Sequence, residues 1–417
     1  MPIQIALDSL KQAASGTANS ATFLRGDNTF VAANVAANSA IASPVLSGTA
    51  TGTYTLAGTP TITNPTLTLQ SENVSPFIGF RNRIINGAMV IDQRNAGASV
   101  TPTAAVYGLD RWKMSAPAAS KYSFQQNAGS VTPPAGFKNY LGVTSLSAYS
   151  VTTSQAFVAY QLIEGYNVSD LGWGAAGASS VTLSFWVRSS LTGTFGGALG
   201  NVNATRSYPF TYTISSANTW EQKTITIAGD TTGTWNSTND VGLAVYLGFG
   251  VGATVSGTAG AWAGAEYYSA TGATSVVGTN GATFYVTGVQ LEKGTVATPF
   301  EFRSHGQELL LCRRYFTSIG SGAVMAICTG STSWNFSVIF PVEMRAAPSF
   351  VGTSGSLSGV ITDSAFLDYT ISTTGSIANG NLMGARMTGF ITSASGAAGR
   401  IAMWNSSSSV LLFNAEL

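Results

Sequence analysis

The sequence carries little charge. Asp, Glu, Lys and Arg make up only 9% of the 417 residues and the net charge is +1, whereas about 25% is usual in a globular protein. The one adjacent basic pair is Arg313-Arg314. Because a surface that follows a phosphate backbone needs clustered basic residues, we expect no nucleic-acid partner. Hydrophobic residues still reach 45%, which is enough to bury sizeable cores.

Cysteines, long apolar runs and targeting segments are also scarce. The two cysteines, Cys312 and Cys328, are too few for a disulfide framework and indicate assembly in a reduced cytoplasm. No run reaches the ~18–20 apolar residues that cross a membrane, so we expect no membrane insertion. The first residues, MPIQIALDSLKQAASG, lack the basic and apolar regions of a signal peptide.

Motifs for catalysis and metal binding are few. His305 is the only histidine, so it is the one candidate base for a Ser/His/Asp triad, and no G-x-S-x-G elbow surrounds a serine. The sequence has no H-E-x-x-H motif, CxxC pair or Walker loop. We therefore predict no metal site, no cofactor and no enzymatic activity, and we expect His305 to be a capping or surface residue.

Paired carboxylates leave one enzymatic alternative open. Glycoside hydrolysis needs two carboxylates roughly 5–10 Å apart. Asp363 and Asp368 are close in sequence, and Asp230 and Asp240 flank Trp235. Either pair could converge in a polysaccharide depolymerase, although aspartate is also common in surface turns.

The sequence is instead rich in β-strand patterns. Residues 77–303 alternate apolar and polar positions between Gly-, Asn- and Pro-rich turns, as in VTLSFWVRSS, where Val181, Leu183, Phe185 and Val187 share a face. Many short strands of this kind predict an all-β fold with a jelly-roll-like β-sandwich. The clearest predicted strands are Ala156–Ile163, Val181–Arg188, Ser207–Ile214, Glu221–Ala228, Val241–Phe249 and Thr283–Glu292.

Residues 1–75 differ from the rest. They hold five charged residues and three aromatic residues, and from Pro44 small polar residues alternate with single apolar ones between frequent glycines and prolines. One copy could not bury enough surface to fold alone, but three copies wound together could share a thin core. We predict an extended N-terminal shaft; the alternative is a flexible linker. We interpret the tripeptide Arg25-Gly26-Asp27 as a turn.

A short linking helix is predicted for residues 304–316. Ser304 and Gln307 have the spacing of a capping box, and the positive charges of Arg313-Arg314 in the last turn suit the helix dipole. The run Leu309-Leu310-Leu311 is apolar over more than one face, so the helix should be buried between neighbours, with Cys312 as a small core residue. Residues 317–417 predict a second C-terminal β-sandwich that includes the strands Trp334–Phe340, Met387–Ser393, Ala402–Trp404 and Val410–Leu417.

Three patches resemble segments of bacteriophage tail-fibre and receptor-binding proteins. They lie near residues 16–32, 284–316 and 336–350, and they contain GTANSATFLRGDNTF, QLEKGTVATPFEFR and PVEMRAAPSF, respectively. The resemblance implies a homotrimer in the virion tail, assembled in the host cytoplasm. Residues 1–75 would then bind phage tail or baseplate proteins and form a shaft, and residues 317–417 would be the distal β-domain and the favoured tip for receptor contact.

Residues 77–303 also resemble carbohydrate-binding-module jelly rolls. The resemblance is carried by Asn86-Gly87 near the first strand, by a later tryptophan and by the closing strand Tyr285–Leu291. It implies that the first strand, to which we assign Ile84–Ile91, lies beside Phe284–Leu291. As in other such sandwiches, the fold can serve a structural or adhesive role and does not by itself imply an activity.

The candidate glycan-binding residues lie in the loop Val251–Gly281. It carries Trp262, Glu266, Tyr267 and Tyr268, and sugars are bound by aromatic faces with a few polar groups. Alternatively, these rings cap the sandwich or pack on a neighbouring chain. We expect a virion structural protein that adsorbs to a host cell-surface glycan; the alternatives are a depolymerase tailspike or a head or baseplate fibre without receptor binding. The tryptophans expected in the core are Trp112, Trp186, Trp220, Trp334 and Trp404.

Overall fold

The computed structural model describes residues 22–24, 30–32, 80–201, 205–320, 325–329, 333–354, 360–363, 368–373, 376–392, 401–405 and 410–417. The chain forms two compact units, Met1–Gln70 and Ser71–Leu417. In the first, β1 (Thr22–Leu24) pairs antiparallel with β2 (Phe30–Ala32). The tripeptide Arg25-Gly26-Asp27 and the predicted shaft beyond Pro44 lie outside the described residues.

Two antiparallel sheets form a sandwich in the second unit. One has the strand order β10-β9-β12-β7-β4-β3 and the other β11-β8-β15-β6-β5, while β13 and β14 form a short parallel pair. The 3₁₀ turns are Ala128–Ser130, Gly165–Asn167, Ser169–Leu171 and Ala253–Val255. The strands are β3 (Val106–Tyr107), β4 (Lys113–Met114), β5 (Tyr122–Gln126), β6 (Leu141–Ser145), β7 (Ala156–Glu164), β8 (Val181–Ser189), β9 (Gly193–Gly200), β10 (Ser207–Ile214), β11 (Glu221–Ile227), β12 (Val241–Val251), β13 (Ser256–Gly257), β14 (Ser269–Ala270) and β15 (Thr283–Lys293).

Alternation within the strands fills the space between the two sheets. The inward positions of β8, namely Val181, Leu183, Phe185 and Val187, are all 0% exposed. They meet the inward residues of β12, among them Leu247, in one hydrophobic core. This pattern arises because side chains two apart on a strand face the same side. The antiparallel sheets confirm the prediction of an all-β fold.

The same alternation corrects two core assignments. Trp186 stands between Phe185 and Val187, so its side chain points to the opposite face of the sheet, where it is only half-buried. Trp220 is also half-buried and packs against Tyr140 at 5.5 Å between ring centroids. Trp112 and Trp334 are fully buried as predicted, whereas the side chain of Trp404 lies outside the described residues.

The segment predicted as the first strand is not a strand. Residues 80–91 run beside β15 as predicted, since Arg83 N donates to Leu291 O at 2.9 Å and Val289 N donates to Gly87 O at 3.0 Å. Asn86 and Met89, however, have φ angles of 58° and 57°. Such left-handed residues interrupt an extended ladder, and the Asn86 side chain donates instead to the carbonyls of Ile91 and Asp110.

The C-terminal strands form two sheets that share a core. Residues Trp334, Val338, Met387, Leu411 and Phe413 are among those buried together. The sheets have the orders β16-β25-β19 and β18-β17-β24-β20-β21-β23-β22, and β23 also pairs with β18, which closes six strands into a ring. The strands are β16 (Phe316–Gly320), β17 (Met325–Cys328), β18 (Ser333–Ile339), β19 (Ser349–Ser354), β20 (Val360–Asp363), β21 (Asp368–Thr373), β22 (Ser376–Gly380), β23 (Gly384–Thr392), β24 (Ile401–Asn405) and β25 (Val410–Asn414).

Helix α1 (His305–Arg313) links the two β-structures. Ser304 and Gln307 form the predicted capping box, and His305 is exposed at the first helical position. Cys312 is 0% exposed and packs with Ile85 and Tyr315. The helix therefore fixes the entry segment of the sandwich to the start of β16.

Buried charges add to this coupling. The Glu416 carboxylate lies between Arg94, at 3.0 Å, and Arg111. Glu164, at the end of β7, accepts hydrogen bonds from Arg314 at 2.6 Å and from the Tyr315 hydroxyl at 2.7 Å. Charges removed from water must be paired, so these contacts hold the C-terminal strands against the sandwich.

Candidate functional site

A row of tyrosines crosses the outer face of the six-stranded sheet. Tyr160 on β7 is directly opposite Tyr246 on β12, with 5.4 Å between their ring centroids. Lys113 on β4 is opposite Tyr160 on its other side, and its ammonium nitrogen lies 5.8 Å from that ring. Facing residues on adjacent strands share a face, so the register of the sheet builds this row.

The loop between β12 and β15 extends the row. It packs on the sheet where glycines leave room: a β-carbon at Gly196 would lie 2.4 Å from the Ser269 hydroxyl oxygen. This brings the Tyr268 ring against Tyr246, edge-on at 5.0 Å. The Tyr268 hydroxyl donates to the exposed Glu266 carboxylate. We call Tyr160, Tyr246 and Tyr268, with Lys113 and Glu266 at their sides, the tyrosine strip.

The phenols of the strip are hydrogen-bond donors at neutral pH. Burial raises the pKa of Tyr160 to about 12, and burial also raises the pKa values of Tyr246 and Tyr268 above the usual value for tyrosine. For Tyr268 the neighbouring Glu266 carboxylate adds to the increase. Among the described residues, the Tyr160 and Tyr246 hydroxyls have no hydrogen-bond partner.

The strip ends at Tyr107 on β3, which faces Lys113. The Tyr107 hydroxyl donates to the main-chain oxygen of Leu417 at 2.7 Å, and the Arg94 guanidinium covers its ring at 4.9 Å. The Tyr107 hydroxyl is therefore already bound to the C-terminal segment. The surface available to a ligand begins at Lys113.

The four candidate residues from the loop fall in three places. Glu266 and Tyr268 join the strip. Tyr267 lies over Gly257, where a β-carbon would approach its ring to 2.3 Å. Trp262 packs edge-on against Trp173 at 5.2 Å and donates its indole N–H to Ala228 O at 2.8 Å, so it caps one end of the sandwich.

Sequence analysis missed Tyr160, Tyr246 and Lys113. Tyr160 and Tyr246 belong to strands whose apolar residues indicated only a core. The alternation of the strands could have identified both tyrosines as outward-facing, because each follows an inward residue, Ala159 or Val245. Only the strand register places these outward residues side by side.

The carboxylate pairs have different surroundings. Asp230 is buried and accepts two bonds from Arg206, at 2.7 and 2.6 Å. These bonds and those from Thr232 outweigh burial and lower the pKa of Asp230. Asp240 is exposed and accepts a bond from Val241 N at 2.8 Å. Asp363 and Asp368 belong to the paired strands β20 and β21, but their side chains lie outside the described residues.

A cavity lies elsewhere, beside the ATPFE segment. Its volume is about 200 Å³ and its wall includes Phe137, Phe300 and Phe302. Phe302 is 59% exposed and packs against Phe300 at 4.8 Å. Glu301, Arg303 and Glu308 also border it. Arg303 pairs with both glutamates, at 3.4 and 3.5 Å, and Lys138 adds a second positive charge to this wall.

Within the described residues, no cluster of three or more His, Cys, Asp or Glu residues is suited to hold a metal ion. No helix there is long and apolar enough to cross a membrane.

Comparison with known proteins gave structural matches only. No family model and no curated protein matches the sequence. The enzymatically active domain of tailspike protein 4 from bacteriophage CBA120 is 10% identical, with a TM-score of 0.27, over 51% of this chain and 21% of that one. The chain thus spans about a fifth of that protein.

Two further solved structures are matched over nearly their whole length. A putative sugar binding protein from Bacteroides thetaiotaomicron is 11% identical (TM-score 0.29; 51% of this chain, 99% of that one). A family 11 carbohydrate-binding module from Clostridium thermocellum is 12% identical (TM-score 0.26; 46% and 93%).

Proposed function

We propose that this chain is a bacteriophage tail-fibre protein that adsorbs to a glycan on the host cell surface through the tyrosine strip. The observation that carries the proposal is the cross-strand alignment of Tyr160 and Tyr246, with Tyr268 packed against them. Rigid aromatic faces cover the apolar C–H surface of a sugar, and free phenol hydroxyls bind its hydroxyl groups. The phage assignment rests on the three sequence patches described above.

The composition of the strip suits a neutral or weakly charged polysaccharide. Lys113 and Glu266 carry opposite charges at its two sides, so the strip has no strong field of either sign. The whole chain has a net charge of only +1. Recognition would therefore depend on stacking and hydrogen bonds, and binding should change little with salt.

Binding to purified host capsule or lipopolysaccharide tests the proposal. Tyr160→Ala and Tyr246→Ala should each weaken binding by about tenfold or more, equivalent to about 1.4 kcal/mol. The matched control is Tyr166→Ala, which removes a tyrosine that is 61% exposed and outside the strip. Near-UV circular dichroism checks folding. Unchanged affinity in both strip variants, with the fold intact, would overturn the proposal.

The same incubation separates adhesion from cleavage. A depolymerase tailspike would release new reducing ends from the polysaccharide, whereas an adhesive fibre would leave the chain length unchanged. A head or baseplate fibre without receptor binding would do neither. We propose adhesion without cleavage, with residues 1–75 binding tail or baseplate proteins.

A further inference from the structure

A second, smaller cavity is lined by residues outside the tyrosine strip. Its volume is about 50 Å³. The rings of Trp173 and Trp235 and the polar residues Asn236 and Ser237 line it, and Val168, Leu171 and Leu243 are among its apolar walls. None of its lining residues is charged, so it suits a neutral group.

The two indole rings that line the cavity are rigid and offer a ligand an apolar surface. Trp173 and Trp235 pack edge-to-face at 4.7 Å, and Trp262 packs against Trp235 at 5.4 Å. The Trp173 N–H donates to Ser179 O at 2.7 Å and the Trp235 N–H donates to Thr232 O at 3.2 Å. With both N–H groups satisfied inside the chain, the rings offer a ligand only their apolar surface.

The polar side of the cavity supplies hydrogen-bond donors. The Asn236 Oδ1 accepts bonds from Thr238 N at 2.8 Å and from Thr238 Oγ1 at 2.7 Å, which fixes the amide orientation. Its Nδ2 has no acceptor among the described residues, and neither does the hydroxyl of the exposed Ser237. A carbonyl oxygen placed here would find a donor.

The cavity is large enough for a small group. Its volume of about 50 Å³ exceeds the roughly 10–15 Å³ that one water needs. A single substituent with a methyl group and a carbonyl matches both the apolar walls and the polar side.

We infer that this cavity binds an acetyl substituent of the host glycan. The methyl group would lie against Trp173 and Trp235, and the carbonyl oxygen would accept from Asn236 or Ser237. The inference rests on the proposed function, because the acetyl group belongs to the same glycan. N-acetyl and O-acetyl sugars share this chemistry.

Saturation-transfer NMR with three monosaccharides tests the inference: N-acetylglucosamine, 6-O-acetylglucose and glucose. We expect the acetyl methyl protons to receive the strongest saturation in at least one acetylated sugar. The sugar with the stronger effect shows whether the cavity prefers an N-acetyl or an O-acetyl group. Ser237→Phe should fill the cavity and reduce binding of that sugar at least fivefold. Thr234→Phe, an exposed position that does not line the cavity, should leave it unchanged. Ser169→Phe provides a second filling variant if Ser237→Phe folds poorly.

Several outcomes would overturn the inference. One is equal saturation of the acetyl and ring protons. Another is unchanged binding of the acetylated sugar in both Ser237→Phe and Ser169→Phe, with both variants folded. A third is no binding of either acetylated sugar. If polysaccharide binding still depends on Tyr160 and Tyr246, the proposed function stands alone. If polysaccharide binding is also unchanged in the Tyr160→Ala and Tyr246→Ala variants, both proposals fail.

Discussion

At the scale of single residues, some of the few charged side chains in this protein are buried. The side chains of Glu416 and Arg111 are 3% and 1% exposed. The Arg111 guanidinium also lies 3.5 Å from the centroid of the Tyr315 ring. Since few charges are available, the burial of these two at one interface indicates a specific structural role.

Glu416→Gln should destabilise the chain by about 3 kcal/mol, because it leaves Arg94 and Arg111 buried without a counter-charge. Urea unfolding measures the change. The control is Asp170→Asn, which alters a carboxylate that is 45% exposed and pairs with Arg83 at 2.9 Å; about 1 kcal/mol or less is expected there. Equal effects of the two substitutions would contradict this role for Glu416.

Asp110 should make stability depend on pH. Burial raises its pKa from 3.8 to about 6, although Gln93 and Arg94 oppose the change, and Glu416 adds to it. The folded state thus binds the proton more tightly than the unfolded state, so stability falls as pH rises from about 4 to about 6 and is level above that range. The loss should be about 3 kcal/mol.

Asp110→Asn provides the comparison, since an amide does not titrate. The difference in unfolding free energy between the parent chain and the variant should change by that amount between pH 3.5 and pH 7. A constant difference across this range would show that Asp110 is ionised normally in the folded state.

At the scale of elements, a close approach of two backbones explains why the entry segment is irregular. A β-carbon at Gly87 would lie 2.1 Å from Val289 O, within the closing strand β15. Only glycine allows the chain to pass there. The Asn-Gly pair thus marks this position in the sequence, but it does not reveal the neighbour that requires it.

Gly87→Ala should therefore destabilise the sandwich by more than 2 kcal/mol, since the obstacle is main chain and cannot move aside cheaply. Gly306→Ala is the matched control: it lies in α1 with open space around it. That change should be neutral or stabilise by up to about 1 kcal/mol, because alanine favours the helix. Thermal unfolding of both variants measures the contrast, and similar melting temperatures would refute it.

At the scale of the whole molecule, the sandwich and the C-terminal strands belong to one compact unit, Ser71–Leu417. The buried ion pairs and α1 join them within a chain. The homotrimer implied by the resemblance to tail fibres stays a proposal. Native mass spectrometry of the full chain should give three times 42.9 kDa; a monomer at micromolar concentration would contradict it.

The sequence by itself determined the all-β class, the main strands and the capped helix. These follow from local rules: side-chain alternation, turn residues and the Ser304–Gln307 spacing act over a few residues. Alternation also implied that Val181 and Leu183 face inward.

Only the tertiary structure decided which outward residues become neighbours. Tyr160 and Tyr246 are far apart in sequence and meet through strand register, and Glu416 meets Arg111 across 305 positions. Register and burial of this kind depend on long-range packing of the whole chain. The same packing forms the cavity lined by Trp173 and Trp235, whose other walls come from residues 168–172, residues 236–237 and strand β12.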